Sequence, residues 1–243
     1  YASKATGMQI QVERIDLRFP LNLLVRGVEV IQQPDTLLSL ESLNVRVQAW
    51  PLLKGKVEVD EVTLSQVAVN SANLIEGMQI KGVLGRFFLQ SHGVDLSNET
   101  AVVNRTELSD THIQLLMTDT TTTPKDTTAS APVNWKVNLH QLKLKNVSFG
   151  MKLPADSMKM AAYIGEATID DAKADLKNQF YGLKQFLLSG ASASYDTGEA
   201  QPSEGFDASH MAVRNIRIGL DSLLYEGRNM NAVIREITME ERS

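Results

Sequence analysis

Between Val57 and Val69 the chain places apolar residues at Val57, Val59, Val62, Leu64, Val67 and Val69. An alternating pair is followed by a two-residue gap, and the cycle restarts every five positions. All six places return at Val137, Leu139, Leu142, Leu144, Val147 and Phe149. Shorter versions occur at Ile10/Val12/Ile15/Leu17, Leu38/Leu40/Leu43/Val45, Ala162/Ile164/Ala167/Ile169, Met211/Val213/Ile216/Ile218 and Ala232/Ile234/Ile237/Met239. At about 100° per residue these positions scatter around a helix and leave no apolar stripe. On a flat strand each step of three would throw the next pair onto the opposite face. A bulge or corner at every gap restores the face and bends the strand. The cadence therefore predicts an all-β chain built as an elongated, curved, groove-like sheet of the β-taco type with an apolar concave face. An ordinary sandwich or barrel with irregular strands is the second reading of the same spacing.

Along the chain, residues 8 to 69 read as strands interrupted at Phe19-Pro20, at Gln33-Pro34-Asp35 and at Trp50-Pro51-Leu52-Leu53-Lys54-Gly55. Pro at a helix start and Gly just past its end make residues 51–55 one short helical turn, with a loop as the alternative. Residues 74 to 117 continue as strands, with Leu84, Phe87 and Leu89 inward and a turn near His92-Gly93. Residues 118–131 are Thr-rich, polar and without core formers, hence a flexible loop or linker inside one repeating structure, with a domain boundary as the alternative. That divides the chain into a first β-unit over 1–117, the loop, and a continuation of the same repeating groove over 132–243. Residues 160 to 176 allow helix or strand, and the five-residue cycle favours strand. A second polar stretch covers 196 to 209. The opening Tyr1–Thr6 before Gly7 reads as the last turn of a helix whose beginning precedes the chain.

Composition narrows the class. The chain is 43% hydrophobic and only 22% charged, which supports a large buried surface rather than disorder. Net charge is −5 and the basic residues are dispersed, so nothing points to nucleic acid. Without cysteine there are no disulfides, thiolate nucleophiles or Cys-bound metals. No apolar run reaches membrane-spanning length.

The search for chemistry is negative. His92, His112, His140 and His210 stand in unrelated contexts with no metal-binding spacing, and His140, between apolar strand positions, faces solvent. Glu166, Asp170 and Asp171 read as a solvated strand face rather than a carboxylate pair or calcium loop. Gly82–Gly85 and Ser189–Ser192 lack the nucleotide-loop fingerprint, and Ser189 has no nucleophile elbow. No catalytic residue, cofactor or metal is assigned. The apolar strip is left as the candidate functional surface: Val57, Val59, Val62, Leu64, Val67, Val69, Val137, Leu139, Leu142, Leu144, Val147, Phe149, Ile216 and Ile218. Each such side chain gains roughly 1.5–3 kcal/mol on leaving water, so a sheet, a partner or an apolar ligand must cover the strip.

The order of segments carries a resemblance. Thr6–Ile15 leads into Phe19-Pro20, then Leu23–Val30, Asp35–Leu40, Leu43–Val47 and Pro51–Val62. This succession resembles the N-terminal region of the AsmA-like family, including its TamB-type components of translocation and assembly modules. The Thr-rich stretch at 118–131 is an insertion relative to that pattern. The resemblance implies a periplasmic β-rich protein of a Gram-negative bacterium, held in the inner membrane by a preceding helix. It implies a curled sheet that conducts phospholipids toward the outer membrane, and association with an outer-membrane barrel partner. Three functions stay open at this point. They are a non-enzymatic conduit for acyl-chain lipids, a module that holds outer-membrane protein strands, and a closed structural β-domain whose strip is self-buried.

Overall fold

The computed structural model describes residues 8–52, 58–72, 74–75, 77–95, 98–117, 134–154, 157–198, 207 and 209–241. The expected helix end at 1–7, the Thr-rich stretch at 118–131, most of the polar stretch after 196, and Val57 lie outside them.

Among the described residues nearly everything is strand. The elements are β1 (Gln9–Arg18), β2 (Asn22–Gln32), β3 (Asp35–Val47), α1 (Ala49–Leu52), β4 (Val59–Asn70), β5 (Met78–Asp95) and β6 (Thr100–Met117). There follow β7 (Lys136–Leu153), β8 (Met158–Asp175), β9 (Phe180–Leu183), β10 (Gln185–Asp196), β11 (His210–Glu226) and β12 (Asn229–Glu241). They form one curved sheet in the order β1-β2-β3-β4-β5-β6-β7-β8-β10-β11-β12, with the short β9 between β8 and β11 at one end. Neighbours are antiparallel except β6 and β7. Because that pair is parallel, the chain re-enters the sheet at the end opposite to the one where it left.

Two expectations change in detail. The helical turn begins at Ala49 rather than Pro51, and its expected end at 53–55 lies outside the described residues. His92-Gly93 is not a turn: β5 runs through it to Asp95, with its register shifted at Gln90/Ser91 and Ser91/Gly93. A bulge absorbs the glycine and keeps the strand paired with β6.

The two-residue gaps are corners, not insertions. Across β3 and β4 the pairing holds one register through the gap, from Leu38↔Val69 and Leu40↔Val67 to Leu43↔Leu64 and Val45↔Val62. The same is true of β7 and β8, from Lys136↔Asp175 to Leu153↔Met158. Each strand therefore carries its gap at the same height, and the corners line up into a crease across the sheet. From β2 to β10 that crease runs through Gly27, Glu41, Gln66, Gly85, Asp110, Asn146, Gly165 and Gly190.

Backbone chemistry makes the corner. Gly27 (φ 59°), Gln66 (49°), Asp110 (52°), Asn146 (53°) and Gly190 (62°) are left-handed, which turns the strand and returns the next apolar pair to its original face. Gly, Asn and Asp tolerate that conformation best. Where a neighbouring strand does not turn this way, glycine gives it room. A Cβ on Gly85 would meet Asp110 Cβ at 2.7 Å, and one on Gly165 would meet the Gly190 carbonyl oxygen at 2.9 Å.

Candidate functional site

Directly paired residues share a face, so the register shows what the apolar side looks like across strands. Beside the crease one row reads Ile15, Val25, Leu43, Leu64, Phe87, Leu108, Leu144, Ala167, Leu188, Ile218 and Ile237. It crosses all eleven strands of the main path without a polar side chain. The next row outward reads Leu17, Leu23, Val45, Val62, Leu89, Thr106, Leu142, Ile169, Phe186, Leu220 and Ile234. Its one interruption is Thr106. On the other side of the crease Val12, Val28, Leu40, Val67, Leu84, Thr111, Val147 and Ile164 align, then Ile10, Val30, Leu38, Val69, Gly82, Ile113, Phe149 and Ala162.

The bend closes toward this face. At the crease the apolar side holds Thr111, Ala167 and Ala191, at 3%, 3% and 4% exposure. On the reverse side of the same corners Glu41, Arg86, Asp110, Asn146 and Glu166 are exposed. Crowding on one side and splay on the other is the signature of a bend that is concave on the apolar side. The Thr111 hydroxyl is satisfied locally, donating to the Ser109 carbonyl at 3.2 Å.

Nothing among the described residues covers the concave face. The buried apolar residues are Leu37, Ala101, Ala167 and Ala191, and no large side chain is fully buried. Val69, Ile113 and Phe149, in mid-sheet, are each about 40% exposed. A second packed layer would bring such side chains close to zero, as inner faces of sandwiches are. Among the described residues the site is thus an open apolar trough.

All of the strip residues other than Val57, which is outside the described residues, lie on this one face. Val59 joins through Val47, while Val137 and Leu139 pair with Ala101 and Val103. Ile216 and Ile218 pair with Ala191 and Leu188. The sequence reading expected strand over β6 but assigned no residue of β6 or β10 to the strip. Both keep the cadence but fill it with small or hydroxylated residues: Thr106-x-Leu108-x-x-Thr111-x-Ile113 and Phe186-x-Leu188-x-x-Ala191-x-Ala193. A search for large apolar side chains alone passes over them.

Charge sits on the reverse face. His140 is exposed there, as expected, but its Nδ1 lies 3.0 Å from Asp171, which also receives Lys184 Nζ at 2.6 Å. Asp171 is left-handed (φ 50°) and opposes His140 at a second, shorter corner line. The Lys184 hydrogen bond, then that of His140, holds the Asp171 carboxyl at about 2, below its ordinary 3.8. Asn178 lowers Asp175 in the same way, chiefly through its backbone N–H at 3.1 Å. Among the described residues no group of His, Asp or Glu has a metal-binding arrangement, and no helix is long and apolar enough to cross a membrane.

The chain matches no protein-family model, and no curated protein matches it significantly.

Proposed function

We propose that the trough carries acyl chains, and that the protein is a non-enzymatic conduit for phospholipids between the inner and outer membranes. The observation that carries this reading is the unbroken row from Ile15 to Ile237. It runs across the strands, so over eleven strands it offers about 48 Å of continuous apolar floor at ~4.8 Å per strand. An acyl chain lying along it meets no polar side chain and slides without a step that needs to be driven. Head groups remain at the open rim, in water. The AsmA-like resemblance supports a periplasmic setting, an inner-membrane anchor before residue 1 and a barrel partner at the outer membrane. Val62→Asp or Leu142→Asp places a charge in the path and should abolish both co-purifying lipid and outer-membrane integrity. Thr63→Asp and Lys143→Asp, on the reverse face of the same strands, should leave both intact. Lipid retained by Val62→Asp and Leu142→Asp at normal protein levels would refute the proposal.

A second reading has its own observation. The outer strands β1 and β12 are exposed along nearly their whole length, and among the described residues each has one hydrogen-bonding edge free. Such an edge can template the strand of a client outer-membrane protein. Photo-cross-linkers at Leu64 and Leu144 would capture lipid in the first case and client polypeptide in the second.

A further inference from the structure

We infer that the reverse face, near the β7–β8 hairpin, holds a binding site for a phosphate-bearing anion. A hollow of about 1010 Å³ opens there. Its floor is a line of directly opposed small residues, Gly150, Ala161, Ser194 and Ala212, which lets a ligand approach the backbone closely. Along one rim Lys152 stands directly opposite Lys159, and Lys81 lies on the same face two strands away. Like charges facing each other across a sheet repel. Asp196 stands directly opposite Lys159 on its other side, yet none of the three lysines has an ion-pair partner among the described residues. The other charges in the hollow are already engaged. Arg214 lies 3.5 Å from Glu240, and Asp196 accepts from the Gly198 N–H at 2.8 Å and lies 3.6 Å from His210.

The free charge is therefore three ammonium groups, on a chain whose net charge is −5. A general excess of basic residues does not explain it. An anion seated between Lys152 and Lys159 converts their repulsion into two attractions, and ammonium groups bind phosphate oxygens as point charges. At the opposite rim the Ser192 hydroxyl supplies a neutral donor, while that of Ser148 is engaged with His112 Nδ1 at 2.5 Å. Lys81, Lys152 and Lys159 lie on the face opposite the apolar trough, although the trough residues Phe149 and Ala162 also border the hollow. A phosphate group here belongs either to the head group of an anionic bilayer or to a soluble phosphate compound.

The test uses amide NMR titration with inorganic phosphate, and flotation with vesicles of phosphatidylglycerol or phosphatidylcholine. Phosphate should shift Gly150, Ala161 and Ser194. The double variant Lys152→Gln/Lys159→Gln should weaken binding at least tenfold. Lys143→Gln/Lys145→Gln, with the same charge change on the same face of β7, should stay within twofold. Selective flotation with phosphatidylglycerol identifies a head-group source, and phosphate shifts without flotation a soluble one. Absence of both, or equal weakening in the two double variants, overturns the site.

Discussion

Asn146 donates from Nδ2 to Asp110 Oδ1 at 2.7 Å, joining the left-handed corner of β7 to the left-handed corner of β6. These are the two strands that run parallel, and both turn the same way at the same height. The bond thus braces the crease where the alternation of turning and non-turning strands is broken. Replacing Asn146 with Gly removes the bond but keeps the backbone, and should cost about 0.5–1.5 kcal/mol. Asn146→Val adds a β-branched side chain at positive φ and should cost a further ~1–3 kcal/mol. Urea unfolding followed by far-UV circular dichroism separates the two, and equal midpoints would remove the strain argument.

Gly85 makes room for that same Asp110. A Cβ there would lie 2.7 Å from Asp110 Cβ and 3.0 Å from its carbonyl oxygen, so the β6 corner would have to shift. Gly85→Val should destabilise the sheet by roughly 1–3 kcal/mol through overpacking. Gly150→Ala, whose nearest neighbours would be 3.9 Å away, should stay within about 0.5 kcal/mol. Denaturation midpoints of the pair check the contrast.

The Asp171 carboxyl should titrate at about 2 by carbon-detected NMR, well below an ordinary aspartate at 3.8. Its folded value is depressed, so its contribution to stability is present above pH 3.8 and is lost as pH falls toward 2. Lys184→Gln removes the larger cause and His140→Gln the smaller. Each should raise the midpoint, Lys184→Gln more. An unchanged midpoint in Lys184→Gln would break the assignment.

Amide exchange should be slowest in β5 to β8 and fastest in β1 and β12. The central strands are long and paired on both sides, whereas the outer ones have one free edge and exposed side chains such as Leu17 (72%) and Met230 (68%). Uniform protection across the sheet would mean that the edges are covered in solution. Protection at the edges that falls on dilution would identify a second chain as the cover.

The cadence contained more than secondary structure. A repeated pair-and-gap spacing requires that strands bend and keep one face apolar, because pleat direction and positive φ act on neighbouring residues. Val62, Leu64, Leu142 and Leu144 share one face for that reason. The turn expected at His92-Gly93 failed because only pairing with β6 reveals that the chain stays extended there. The small residues of β6 and β10 were missed because their place in the trough comes from their neighbours' register rather than from their own hydrophobicity.

What this sequence determined unaided was therefore local: strands, corners and the sidedness of the apolar residues. Tertiary structure decided that the corners coincide in one crease, that β6 and β7 run parallel, and that four rows merge into a trough with no second layer over it among the described residues. Register and layer packing depend on hydrogen bonds and contacts between residues far apart in the chain. A one-residue slip of any strand would have broken every row while leaving the cadence untouched.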